Sequence, residues 1–139
     1  MRVIGGRWRG RRLAAPRGQA VRPTTDRVKE AVFNILGDRV AAATVLDLCS
    51  GAGGLGLEAL SRGAARAVFV DSDRAALAAV RANAEACGAQ AGEFALVHAD
   101  AVAWLSAWRP AGGPWLLLAD PPYATAVAGA LVPLIDRLA

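Results

Sequence analysis

Gly51-Ala52-Gly53-Gly54-Leu55-Gly56 lies between a segment that reads as a strand and one that reads as a helix, and that junction limits the folds open to this chain. Thr44-Val45-Leu46 precedes it, and Leu55, Leu57 and Leu60 follow it before Gly63. The alternation then repeats. Ala67-Val68-Phe69-Val70 reads as a second strand, and a helix from about Arg74 to Ala86 buries Leu77, Val80 and Ala84 and stops at Gly88. Phe94-Ala95-Leu96-Val97 reads as a third strand, Val102 and Leu105 mark a short helix, and Trp115 to Ala119 reads as a fourth strand. A last helical pattern carries Val127, Leu131, Leu134, Ile135 and Leu138, with Pro133 inside it. Ahead of all this, Pro23-Thr24-Thr25-Asp26 opens a helix that ends at Gly37, with Val28, Ala31, Val32, Ile35 and Leu36 as its expected apolar face. Strands joined by helices predict an α/β fold with a mostly parallel sheet and ligands at the strand C-terminal ends.

The length of 139 residues fits one domain, and a 55% hydrophobic content supports a packed core. No apolar run approaches the roughly 20 residues that span a bilayer, and no secretory signal pattern opens the chain. Cys49 and Cys87 have no metal-type spacing, so no metal site and a reduced, cytoplasmic setting are expected. Charge is uneven. Residues 1–30 hold nine cations and two anions, and the remainder holds seven cations and ten anions. One end therefore suits a polyanion and the body does not. Residues 1–20 read as a basic hairpin extension, with Arg7, Arg9, Arg11 and Arg12 placed for phosphates and Trp8 as a stacking ring. Residues 21–139 read as the body of the domain. The blander reading of the extension is a solvated basic arm.

The glycine turn matches G-x-G-x-x-G after a strand and before a helix, and Asp71 lies at the end of the next strand, where an acid can accept from ribose hydroxyls. A dinucleotide fold shares those two features. Asp47 separates the two cases, because a carboxylate at the start of the turn repels a pyrophosphate and attracts an ammonium. S-adenosylmethionine has an ammonium and a sulfonium but no phosphate. Gly51, Gly53 and Gly56 then let backbone pass close under the ligand. Asp100 ends the third strand and is placed for an adenine amino group beside the Ala101 N–H, although a plain helix cap there is an equal reading. His98, the one histidine, reads as structural.

Asp120-Pro121-Pro122-Tyr123 follows the fourth strand directly. An amino nitrogen on an aromatic base has its lone pair delocalised into the ring. Two acceptors facing its hydrogens favour pyramidalisation and free that pair for in-line attack on a sulfonium methyl. Asp120 can be one acceptor and the Pro121 carbonyl the other, with both prolines keeping that carbonyl out of a ladder. Tyr123 can stack on a base that has left its helix. The site then works mainly by aligning two reactants.

The block Arg2-Val3-Ile4-Gly5-Gly6, Gly10-Arg11-Arg12-Leu13 and Arg22-Pro23-Thr24-Thr25-Asp26-Arg27-Val28-Lys29-Glu30 resembles the bacterial 16S ribosomal RNA guanine-N2 methyltransferases of the small subunit. Asp47 to Gly56, Leu57-Glu58-Ala59-Leu60-Ser61-Arg62-Gly63-Ala64 and Asp120-Pro121-Pro122-Tyr123 continue the likeness over essentially the whole chain. The resemblance implies a Rossmann-like class I methyltransferase acting as a monomer on 16S rRNA in the small subunit or an assembly intermediate. It implies that Arg22, Thr25 and Arg27 help close the cofactor and RNA side of the pocket. It also implies further C-terminal strands that this chain lacks, leaving the fourth strand as an edge. A DNA adenine-N6 methyltransferase and a noncatalytic RNA-binding fragment are the alternatives, and a dehydrogenase fits least.

Overall fold

The computed structural model describes residues 1–15, 26–110 and 112–119. The helical pattern expected near the C-terminus and the Asp120 to Tyr123 motif lie outside these residues, as do Arg22 and Thr25. Eight elements follow in order: α1 Asp26–Leu36, β1 Thr44–Leu48, α2 Gly54–Ser61, β2 Arg66–Asp71, α3 Arg74–Cys87, β3 Phe94–His98, α4 Ala101–Ala107 and β4 Trp115–Ala119. The four strands form one parallel sheet in the order β3-β2-β1-β4.

That order follows from the connections. The chain steps outward from β1 to β2 to β3, then returns to the other side of β1 with β4. Beside β1 the winding reverses, and such a switch point opens a crevice at the strand C-terminal ends. Leu48 pairs with Ala119 at that end, so Asp120 directly follows the strand that ends beside the glycine turn.

Both faces of the sheet are covered, so its strands are apolar nearly throughout. Val45, Ala67, Phe69 and Leu118 belong to the larger core with α2 and α3, while Leu48 and Val70 pack with Ala101 and Leu105 of α4. Asp73 caps α3 by accepting from Ala75 N–H at 2.9 Å, and Gly88 closes that helix in the left-handed region at φ 88°. Trp108 stacks on Trp104 at 6.1 Å and meets Trp115 edge-on at 5.3 Å, which ties α4 to β4.

Two expectations change. On α1, Val28 and Ile35 are 50% and 78% exposed, and Lys29 and Phe33 are the buried residues. The apolar spacing marks Val28 and Ile35 for the inner face, yet the helix is turned about one residue, roughly 100°. The cause is Glu58 of α2, which holds the Lys29 ammonium under the helix. The second change concerns Trp8, which is 7% exposed and sits in the larger core. Its ring meets the Arg7 guanidinium at 4.3 Å, so it is packed away instead of being presented to a base. Around it, residues 1–13 fold back on themselves through Val3 N–H to Arg11 O and Leu13 N–H to Met1 O, with a single ladder bridge between Arg2 and Arg12.

Candidate functional site

The crevice is built where β1, β2 and β3 end. Ser50 N–H donates to Val70 O at 3.2 Å and Ala99 N–H to Asp71 O at 3.0 Å, which draws the three strand ends together. Cys49 leaves β1 with φ 57°, a left-handed conformation that costs an L-residue roughly 1–2 kcal/mol. Strain of that kind concentrates at ligand sites.

Asp71 organises the turn. One carboxylate oxygen accepts from Gly51 N–H at 2.9 Å, and the other accepts from Asp73 N–H at 2.8 Å. These two bonds fix the carboxylate plane. Each oxygen keeps a further lone pair, and the residue is half-exposed, so it can also accept from a ligand's hydroxyls.

Asp47 has a different duty from the one expected. It is 1% exposed, and its Oδ2 accepts from Gly56 N–H at 2.9 Å. Period-two alternation turns Asp47 to the α2 face of the sheet, under the first turn of that helix. There the carboxylate satisfies one of the orphan N–H groups and complements the helix dipole. A contact with a ligand ammonium is therefore not its visible role.

The glycines have separate reasons. Gly53 precedes α2 at φ 87°, where an L side chain is strained. At Gly56 a Cβ would lie 2.3 Å from Phe69 Cε1, so α2 can sit on β2 only with glycine there. At Gly51 a Cβ would meet no described residue within 4 Å, so none of these residues fills the space above the turn.

Asp100 takes the cap alternative: it accepts from Ala103 N–H at 2.9 Å at the start of α4, with Ala101 buried behind it. His98 Nε2 lies 3.0 Å from Ser72 O, in keeping with a structural role. Ser50 is a residue that motif reading passed over. Its Oγ is buried beside the turn and has no hydrogen-bond partner among the described residues. A half-exposed carboxylate with fixed geometry, space over Gly51 that no described residue fills and a buried hydroxyl with no described partner fit an adenosine-containing ligand. They do not fit a pyrophosphate.

The basic extension divides. Arg7 pairs with Glu93 at 3.0 Å, and Arg11 donates to Ala86 O at 3.4 Å. Arg9, Arg12 and Arg27 are exposed. The extension is anchored by Glu58, whose carboxylate accepts from Ile4 N–H, Gly5 N–H and Arg62 Nε at 2.9, 2.9 and 2.8 Å. Ser61 adds bonds to Trp8 N–H and Gly5 O. The Lys29 ammonium lies 3.5 Å from Glu58 and donates to Arg2 O. Burial holds its pKa below the ordinary lysine value, outweighing the attraction to Glu58. Burial also raises the Cys87 thiol. No group of histidine, cysteine and carboxylate ligands suited to a metal occurs among the described residues. No helix among them is long and apolar enough to cross a membrane.

A parallel sheet with this switch point, a glycine turn after β1 and an acid at the end of β2 defines the class: a Rossmann-like, class I methyltransferase fold. The comparisons agree. The solved structure described as “Putative methyltransferase yhhF from Escherichia coli” superposes with a TM-score of 0.83 at 36% identity, over 99% of this chain and 74% of that one. The family described as “Conserved hypothetical protein 95” matches residues 1–139, and the chain belongs to it. Among its relatives, “Putative rRNA methyltransferase YlbH” of Bacillus subtilis is 42% identical over 99% of this chain and 74% of its own length. Ribosomal RNA small subunit methyltransferase D of Escherichia coli strain K12 is 38% identical over 98% of this chain and 67% of its own length.

Proposed function

We propose that this protein uses S-adenosylmethionine to methylate the exocyclic N2 amino group of a guanine in 16S ribosomal RNA, in the cytoplasm and on the small subunit or an assembly intermediate. The observation that carries the reading is the relationship, over 98% of this chain and 67% of the relative, to ribosomal RNA small subunit methyltransferase D, joined to the crevice at the glycine turn. The cofactor supplies a methyl group on a sulfonium. Asp71 receives the ribose hydroxyls on lone pairs left free by Gly51 and Asp73. Asp47 acts at the methionine end indirectly, by holding the first turn of α2 through Gly56. Asp100 and the Ala101 N–H border the adenine.

Asp120 and the Pro121 carbonyl accept the two amino hydrogens of the guanine, Pro122 holds that backbone, and Tyr123 stacks on the ring. Their place in the chain, directly after Ala119, supports this, since Ala119 pairs with Leu48 next to the turn. Thr25 borders the cofactor, Arg22 and Arg27 border the RNA side, and Arg9, Arg11 and Arg12 meet phosphates. Residues 1–20 belong to the RNA-binding extension of a monomeric enzyme, and residues 21–139 belong to its methyltransferase domain.

The test is transfer of tritiated methyl groups to 16S rRNA, free and in 30S particles, with nucleoside analysis of the product. N2-methylguanosine is the expected product, and label on another nucleoside overturns the assignment. In the same assay, Asp120→Ala should abolish turnover and spare S-adenosylhomocysteine binding, because the lost contact acts on the nucleophile in the transition state.

A further inference from the structure

A cavity of about 460 Å³ lies on the extension side of the fold, and its polar lining includes Arg2, Arg9, Arg62, Asn34 and Glu30. That is within the size range of ligand pockets. It lies between the folded-back N-terminal segment, α1 and the end of α2, away from the glycine turn.

The three guanidiniums are not equivalent. Arg62 is held in place: its Nε donates to the buried Glu58 carboxylate at 2.8 Å, and its guanidinium lies 5.1 Å from the Phe33 ring. It also lies over Gly5, where a Cβ would meet Arg62 Nη2 at 2.9 Å. Its Nη groups make no hydrogen bond to a described residue, so a fixed pair of donors remains for a ligand. Arg9 is exposed and makes no side-chain hydrogen bond or ion pair among the described residues. Arg2 pairs with Asp26 at 2.9 Å at the exposed rim. Glu30 is the carboxylate that lines the cavity against these three cations. A preorganised guanidinium with free N–H groups, a second unpaired one and an amide are the donor set that recognises a phosphate.

We propose that this cavity is a phosphate-binding subsite for the RNA strand, in which Arg62 and Arg9 hold a phosphodiester away from the methylated nucleotide and Asn34 supplies an uncharged contact. The inference rests on the reading of this protein as an RNA methyltransferase. The subsite is carried by the same extension that Glu58 locks to α2. RNA held there is therefore kept in fixed register with the helix that starts at the glycine turn.

The experiment measures binding of a 16S rRNA fragment to the full chain over a range of salt. Arg9→Gln should weaken affinity severalfold and lower the salt slope by about 1, as expected for one lost phosphate contact. Asn34→Phe, which fills the cavity without changing charge, should weaken affinity with the slope retained. Arg81→Gln, on the exposed face of α3, removes the same charge elsewhere and should have a smaller effect. S-adenosylhomocysteine affinity should be unchanged in all three. Wild-type affinity for Asn34→Phe, or equal losses for Arg9→Gln and Arg81→Gln, overturns the subsite while leaving the enzyme assignment intact. Inorganic phosphate binding that is lost in Arg9→Gln and Asn34→Phe while both keep wild-type RNA affinity makes it a small-anion site and overturns the RNA proposal. Failure of the wild type to bind any RNA removes the functional reading first, and the subsite with it.

Discussion

Glu58→Gln is the substitution that most directly probes how the N-terminal extension is attached. Glu58 is fully buried and takes donors from four places: Ile4 N–H, Gly5 N–H, Arg62 Nε and the Lys29 ammonium. Glutamine keeps the shape and one acceptor oxygen. Its NH₂ must then face either Ile4 and Lys29 or Gly5 and Arg62, so two donors point at a donor. Lys29, itself fully buried, loses its counter-charge. Removing one member of a buried ion pair costs about 3–5 kcal/mol. Unsatisfied buried donors cost about 1–3 kcal/mol each, and these penalties overlap. The expected loss is therefore about 3–5 kcal/mol, read as a fall in the urea midpoint by far-ultraviolet circular dichroism. Lys29→Met should cost much less, because Glu58 keeps Arg62 and two backbone N–H groups. A Glu58→Gln protein within about 1 kcal/mol of wild type would refute the reasoning.

The same network makes a pH prediction. Because burial lowers the Lys29 pKa in the folded state, the unfolded chain holds more protons between that lowered pKa and 10.5. Stability attributable to Lys29 should therefore rise with pH across that window. Lys29→Met should lack this increment, so the difference between the two proteins isolates it. A wild-type minus Lys29→Met difference that stays flat or falls towards pH 10.5 would contradict the assignment.

Gly56→Ala should destabilise the fold by about 1–3 kcal/mol through overpacking, because its Cβ would meet Phe69 at 2.3 Å, and thermal unfolding checks it. Trp8→Ala should cost about 3–5 kcal/mol of stability as a core deletion, whereas Trp8→Phe should keep RNA affinity near wild type. Tight dependence of RNA binding on the indole in a folded Trp8→Phe protein would restore the stacking role. Asp71→Ala should lose about 1.5–3 kcal/mol of S-adenosylhomocysteine binding by calorimetry, and unchanged affinity would remove Asp71 from the cofactor site.

The sheet was legible from local pattern because each of its strands is apolar on both faces and each connecting helix carries its own stop signal. Gly63 and Gly88 marked helix ends at the positions where α2 and α3 stop. Periodicity failed at α1 because Lys29 is held by a buried carboxylate of another element, and hydrophobic spacing says nothing of where a charge is buried. Val28 and Ile35 looked like core because they fall on the apolar spacing, yet Lys29 is the residue under the helix. Trp8 looked like a binding ring because it stands among arginines, yet the backbone around it is tied down by Ser61 and Glu58. The candidate site shows the same division. Motif spacing pointed to Asp71 and the glycines, but it could not tell that Asp47 serves α2 through Gly56 or that Ser50 Oγ is buried with no hydrogen-bond partner among the described residues. Glu58 thus has a consequence beyond stability. One carboxylate on α2 holds Lys29 under α1, ties down the backbone of Ile4 and Gly5 and orients Arg62, so the basic extension is an integral part of the fold that carries the glycine turn. Under the proposed function, RNA held by that extension is held in a fixed position relative to the glycine turn.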